Sequence, residues 1–187
     1  MQFTADQVWG CAVAADRINE GYVKDEQVVW ENNCRKVLKQ ANKMMVKNWL
    51  RTSDFIEVTE ADYAAGREIR SYFNGLTLKV LSGKITEFEK QALRIAQKDE
   101  FTGRDMLDFA IISCLPAAML RDQARKELDS EIRSSTQLDA AVGDKIQGEI
   151  DVIKSYYSKE YNKYRITAKL GDSYVDFWFG KDLTGTV

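Results

Sequence analysis

The spacing of the hydrophobic residues changes near residue 145, and this change most restricts the folds open to the chain. Upstream of Arg133, apolar residues recur at intervals of three and four, as in amphipathic helices. Downstream of Asp144 they alternate with polar residues, as in half-buried strands. We therefore predict a protein of the α+β class that is predominantly helical. A bundle of about five to six helices is followed by a small antiparallel β module of three strands.

A short polar segment between the two patterns indicates the domain organisation. We expect a helical domain over residues 1–135, a linker over 136–144 and the antiparallel β module over 145–187. Gly171 and Asp172 predict a hairpin turn between the second and third strands of that module. Residues 184–187 resemble the start of a fourth strand.

Threonines at three helix starts carry the clearest local signals. Thr4 with Gln7, and Thr86 with Glu89, match the capping box, in which the threonine oxygen and the third residue's side chain each accept a backbone amide. Thr59 is predicted to cap a third helix that runs toward Leu81. A glycine suited to a helix end, Gly83, follows that helix.

Basic residues are the main functional signal in the first half of the chain. We predict a helix over residues 26–50, and six cations at or near four-residue spacing would form one stripe along it. Like charges at this spacing repel each other, and no acid occurs between Glu31 and Asp54. The stripe therefore indicates an anionic partner, unless the chain's own acids near Asp54, Glu57, Glu60 and Asp62 neutralise it. Its members are Arg35, Lys36, Lys39, Lys43, Lys47 and Arg51.

Aromatic residues are the second functional signal, and they are concentrated in the β module. They alternate with lysines and arginines, as in proteins that stack single-stranded bases on rings and neutralise phosphates with cations. A small sheet also needs aromatic residues to cover its own faces, so packing is the alternative. We expect Val175, Phe177 and Phe179 in the core, and the candidate stacking residues are Tyr156, Tyr164, Tyr174 and Trp178.

The residues that most enzymes need are missing from the sequence. The chain contains no histidine, no GxxxxGK[ST] phosphate loop and no GxGxxG fingerprint. Asp105 and Asp108 could share a helical face and bind magnesium, but the position of Asp105 in the first turn of a helix is better explained by the helix dipole, which favours an anion there. We predict no catalytic residues, no metal site and no cofactor.

Composition indicates a cytoplasmic protein. The formal net charge is −2, so any binding to nucleic acid must depend on a local patch. Three cysteines are scattered without metal-ligand spacing, as expected of free thiols in a reducing compartment. The most apolar stretch, residues 109–120, is too short to cross a bilayer and contains Pro116.

Parts of the sequence resemble proteins encoded by bacteriophages. Residues 143–146, 149–153, 164–168 and 175–179 look like the opening strands of OB-like barrels at the ends of phage replication proteins, and residues 66–76 resemble uncharacterised phage proteins of that architecture. The resemblance implies a role at single-stranded DNA during phage replication, in the host bacterial cytoplasm. An OB barrel has five strands, whereas three are predicted here, so a three-stranded meander is the alternative.

Together these features predict a non-enzymatic protein that binds single-stranded nucleic acid, most often DNA, through the basic stripe and the aromatic module. The alternative is a protein–protein interaction module, or an inhibitor of a host complex, that docks on an acidic protein surface. A carboxylate-dependent, metal-using enzyme is the third hypothesis. The oligomeric state stays open.

Overall fold

The computed structural model describes residues 1–141 and 143–184. The chain divides into two compact units, Met1–Gln123 and Ala124–Val187. The first unit contains β1 (Gln2–Thr4), α1 (Ala5–Asn19), β2 (Gln27–Glu31), β3 (Cys34–Lys39), α2 (Asn42–Thr52), α3 (Glu60–Asn74), α4 (Thr77–Leu81), α5 (Glu87–Ala96), β4 (Glu100–Thr102) and α6 (Met106–Ile112). α7 (Leu115–Ser134) begins in the first unit and ends in the second, which also contains β5 (Asp151–Ser158), β6 (Lys163–Leu170) and β7 (Ser173–Phe179).

The α+β class and the antiparallel three-stranded sheet near the C-terminus are confirmed. β5, β6 and β7 pair in that order, each antiparallel to its neighbour. The predicted turn at Gly171 joins β6 to β7. This glycine has a φ of 59°, a left-handed conformation that glycine adopts without steric strain because it has no Cβ atom. The first strand begins at Asp151, six residues after the predicted start of the β module at residue 145. The predicted fourth strand reaches residues 185–187, which lie outside the described residues.

The core of the first unit surrounds α1. Val8, Cys11, Ala12 and Ala15 on this helix are completely buried, and the alanines allow neighbouring helices to approach closely. All three predicted threonine caps are confirmed: Thr4 and Thr86 form capping boxes with Gln7 and Glu89, and Thr59 forms one with Asp62. Local sequence therefore determines where these helices begin.

A crossing between α1 and α3 brings the two helix backbones into contact. A Cβ atom built on Gly66 would lie 3.0 Å from the backbone nitrogen of Gly10 and 3.0 Å from the carbonyl carbon of Trp9. A Cβ atom on Gly10 would lie 2.5 Å from Cδ1 of Tyr63. A side chain at Gly66 would therefore press on the α1 backbone, whereas a side chain at Gly10 would have to displace the ring of Tyr63.

The predicted helix over residues 26–50 is wrong. The chain instead forms the antiparallel β2–β3 hairpin, and α2 begins only at Asn42. Asn32 and Asn33 at the turn have φ values of 50° and 60°, the two positive values that a type I′ hairpin turn requires. A four-residue interval is also twice the strand period of two, so the spacing of the cations did not distinguish a helix from a strand.

The third predicted helix is interrupted. α3 ends at Asn74, and α4 begins at Thr77 as a separate short helix. Gly83, predicted at its C-terminal end, has a φ of 67°. Pro116 lies in the first turn of α7, where its missing amide hydrogen is not needed, so it is compatible with the start of this helix.

We expect Gly66→Ala to lower the free energy of unfolding by about 1–2 kcal/mol, because overpacking between two rigid helix backbones outweighs the helix propensity that alanine gains. Urea unfolding followed by circular dichroism measures this. Gly103→Ala is the matched control, since a Cβ atom at Gly103 would meet no heavy atom within 4 Å. Equal stability of the two variants would contradict the role of the crossing.

Candidate nucleic-acid interface

The register of the second sheet brings three candidate groups into one row. Tyr156 on β5 pairs with Arg165 on β6, and Arg165 pairs in turn with Trp178 on β7. Paired residues of neighbouring strands point to the same face, so the three side chains form what we call the cross-strand row. Two strand spacings separate the rings by about 10 Å. Tyr156 is 64% exposed and Trp178 is 45% exposed.

Further basic and aromatic side chains extend this face. Lys154 pairs with Thr167, and Lys169 pairs with Tyr174, which puts both lysines on the side of the cross-strand row. The ring of Tyr161 packs on Trp178 with 4.9 Å between the centroids and an angle of 48°. Four basic residues lie on this face, Lys154, Lys163, Arg165 and Lys169, against the two acidic residues Asp151 and Asp176. The face is therefore locally cationic within a chain that is close to neutral.

Two carboxylates lie on this basic face: Asp151, which pairs with Lys169 across the strands, and Asp176. Asp176 accepts a 2.7 Å hydrogen bond from Nη2 of Arg165 and another from the hydroxyl of Thr167. Burial alone would raise the pKa of Asp176, but these two donors and the nearby Lys154 outweigh it and hold the pKa below its ordinary value. Asp176 is thus ionised near neutral pH and partly neutralises Arg165.

A cleft borders the face within the second unit. Its volume is about 430 Å³, and its lining includes Lys154, Tyr156 and Arg165 of the sheet together with Leu128 and Ile132 of α7. The hydroxyl of Tyr174 lies at its edge and donates a 2.8 Å hydrogen bond to Oε2 of Glu131, which raises the pKa of the tyrosine. Tyr174 is therefore held in place, whereas Tyr156 is free to contact a ligand.

The four predicted stacking residues do not share one surface. Tyr156, Tyr174 and Trp178 lie on the face of the cross-strand row, but Tyr164 pairs with Phe179 and lies on the opposite face, where its ring packs on Tyr157 at 5.1 Å. The predicted core assignment in β7 is only partly correct: Val175 and Phe177 oppose the fully buried Ala168 and Ile166 but are themselves half-buried, and Phe179, at the end of the strand, is 44% exposed. Sequence reasoning did not select Arg165, although its position opposite Trp178 follows once the hairpin turn is fixed.

The six predicted cations do not form one continuous stripe. Arg35, Lys36 and Lys39 lie on β3, whereas Lys43, Lys47 and Arg51 lie in α2. Four of the six pair with carboxylates other than those we expected: Arg35 with Glu26, Lys36 with Glu31 at 3.7 Å, Lys39 with Glu20 at 3.5 Å and Lys43 with Asp25 at 3.8 Å.

Lys47 and Arg51 differ from the other four cations. Neither forms an ion pair with any carboxylate in the described part of the chain. Both border an apolar cavity of about 90 Å³ in the first unit, whose lining includes Leu50, Met106 and Phe109. An apolar cavity of about 150 Å³ can hold benzene, so this one has room for a short aliphatic side chain.

The two aspartates considered for magnesium binding are engaged by the chain's own cations. Nζ of Lys98 lies 2.9 Å from Oδ1 of Asp105 and 2.7 Å from Oδ2 of Asp108, and Arg94 also pairs with Asp108. The hydrogen bond from Lys98, with that from the amide of Thr102, lowers the pKa of Asp105 to about 2. Among residues 1–141 and 143–184, no group of three potential metal ligands is present.

We expect this network to make the protein less stable in acid. The folded pKa of Asp105 is about 2 against an ordinary 3.8, so its contribution is complete above about pH 4 and is lost as the pH falls toward 2. Asp105→Asn should cost roughly 1 kcal/mol at pH 7 and flatten the decline in unfolding free energy below pH 4. Thermal melts across this pH range measure both effects.

Glu68→Gln is the matched control for the acid experiment. Glu68 is an exposed α3 residue with no hydrogen bond or ion pair to another described residue. Its replacement should leave the pH profile unchanged. A profile of Asp105→Asn that parallels the unmodified protein would refute the assignment of acid sensitivity to this network.

Comparisons with family models, with curated proteins and with solved structures each found no match for this chain. Within the described residues, none of the helices is both long enough and apolar enough to cross a membrane. The functional argument therefore depends on the surface chemistry of the two units.

Proposed function

We propose that the protein binds single-stranded nucleic acid, DNA in the first instance, on the sheet face that carries Tyr156, Arg165 and Trp178. The observation that supports this most is the cross-strand row itself: two exposed rings on either side of an arginine, on one face of an antiparallel sheet. The context of phage replication belongs to the same proposal and rests on the sequence resemblance alone.

The chemistry of the row suits a single strand better than a duplex. Bases of a single strand are free to leave their neighbours and stack on aromatic rings, which contributes about 1–3 kcal/mol per base with little dependence on sequence. Arg165, Lys154 and Lys169 lie on the same face, where they can neutralise the phosphates between the stacked bases. A double helix offers its phosphates but keeps its bases stacked inside.

The balance of charges favours the sheet over the β2–β3 hairpin as the binding surface. The hairpin cations Arg35 and Lys36 already pair with Glu26 and Glu31, so the hairpin presents little net charge. On the sheet, Lys154 and Lys169 have exposed side chains, and Asp176 is the carboxylate bonded to Arg165. Of the two predicted binding elements, the basic stripe and the aromatic module, the proposal therefore keeps the module.

We expect Tyr156→Ala and Trp178→Ala each to weaken the binding of oligo-dT by about 1–3 kcal/mol, a factor of about 5 to 150, because each removes one stacking surface. Fluorescence anisotropy of a labelled oligonucleotide at low salt measures the Kd. Tyr157→Ala is the matched control, since Tyr157 is 43% exposed, close to Trp178, but lies on the opposite face. No binding by the unmodified protein, or equal losses in all three variants, would refute the proposal.

The salt dependence of the same measurement tests the role of the cations. Three phosphate contacts predict a slope of log K against log salt of about −2 for a single strand, and Lys154→Ala should reduce its magnitude by about 0.7. Asp176→Asn should tighten binding, because it releases Arg165 from its ion pair and removes a negative charge from the face. Weaker binding by Asp176→Asn would place the strand elsewhere.

A second candidate function is docking on an acidic protein surface, and Lys47 and Arg51 favour it. Two cations that have no carboxylate partner among the described residues, beside an apolar cavity, suit an acidic segment that also offers an aliphatic side chain. We expect Lys47→Ala with Arg51→Ala to abolish retention on immobilised poly-glutamate, whereas Lys36→Ala, which removes a paired cation, should not. Equal retention of both variants would eliminate this candidate.

A further inference from the structure

The β2–β3 hairpin exposes an apolar face that the proposed function does not use. Val28 pairs with Val37, and Trp30 pairs with Arg35, so these four side chains share one face. Trp30 is 70% exposed, and the two valines are 37% and 43% exposed. A solvent-facing tryptophan beside a pair of valines is unusual on a monomeric surface and typical of an association site.

The hairpin also lacks neighbouring strands. Within the described residues, β2 and β3 pair only with each other, so both outer edges keep unpaired backbone groups. An isolated two-stranded hairpin is at best marginally stable in water, and further strands or a packed face add stability. A partner that covers the apolar face would add the packing that the hairpin does not receive from the described residues.

The base of the hairpin is held firmly, which keeps its exposed face in a fixed position. Oδ1 of Asn42 accepts hydrogen bonds from the amide of Val23 at 2.9 Å and from Nδ2 of Asn19 at 2.7 Å. Lys39 on β3 donates to the carbonyl of Asn19. Docking would therefore order few additional groups, which favours association.

The charges of the hairpin identify the partner. Each of the hairpin's three cations pairs with a carboxylate: Arg35 with Glu26, Lys36 with Glu31 and Lys39 with Glu20. Of these cations, Arg35 lies on the apolar face, and Lys36 lies on the opposite face. This balance gives no attraction for a phosphate backbone or for a strongly acidic protein. An identical hairpin presents the same Arg35–Glu26 pair beside its apolar face, and a two-fold arrangement can set Glu26 of one copy near Arg35 of the other.

We propose that the β2–β3 hairpin is a self-association surface, on which two copies of the chain bury Val28, Trp30 and Val37 against each other. A two-fold axis makes the contact isologous, so every apolar residue is buried twice. Tryptophan is among the residue types that most often dominate such contacts, and Trp30 is the largest of the three side chains. The surface is separate from the sheet proposed to bind nucleic acid.

Size-exclusion chromatography with light scattering on the full chain, after nuclease treatment, tests this proposal. We expect the mass to rise with concentration toward twice the monomer mass of 21.4 kDa. Trp30→Lys should weaken self-association by at least about a hundredfold, because it puts a charge into both halves of the contact. A monomeric mass at every concentration would overturn the proposal.

Two further variants separate loss of contact from loss of folding. Val37→Lys alters the same face and should also give a monomer, while circular dichroism and thermal melting confirm that both variants fold. Leu107→Lys is the matched control, since Leu107 is also 70% exposed but lies on α6. Dimers that persist in both hairpin variants, or that disappear only when nuclease is added, would contradict the hairpin contact.

Discussion

The close contact between α1 and α3 at Gly10 and Gly66 is the constraint on which the first unit depends. A Cβ atom on Gly66 would lie 3.0 Å from the backbone of α1, so the two helices pack without an intervening side chain at this point. An ion pair further along the same two helices fixes their orientation. Arg17 on α1 donates two hydrogen bonds to the buried carboxylate of Asp62 on α3, at 3.0 and 2.9 Å. Burial would raise the pKa of Asp62, but Arg17 and the amide and hydroxyl of Thr59 hold it low. One carboxylate thus caps α3 and joins it to α1.

Sequence predicts those features that depend on a few consecutive residues. The capping threonines, the turn at Gly171 and the alternation of Val175 and Phe177 in β7 were all expected, because each depends on side chains and backbone within one turn or one strand. The cross-strand row was not, because it depends on register. A β-bulge between Val152 and Lys154 shifts the pairing of β5, and one residue of shift sends every later side chain to the other face.

The hairpin at residues 27–39 illustrates the opposite case, in which a strong local pattern predicts the wrong element. Cations at four-residue intervals satisfy a helix and a strand alike, so the deciding signal was the asparagine pair at Asn32 and Asn33. The ion pairs that those cations form could not be predicted from local sequence either. Glu20 and Asp25 lie in the segment before β2, and only the folded chain brings them to Lys39 and Lys43.

Both exposed β elements pair an arginine with a carboxylate, but the consequences differ. Arg35 has Glu26, and Arg165 has Asp176, and an ion pair this exposed contributes only about 0–1 kcal/mol. Exchanging Asp176 for a phosphate therefore costs little, provided that something else holds the strand near the arginine. On the sheet, the rings of Tyr156 and Trp178 can do so. On the hairpin, the single Trp30 lies beside aliphatic side chains, and the contact available to it is with another apolar surface.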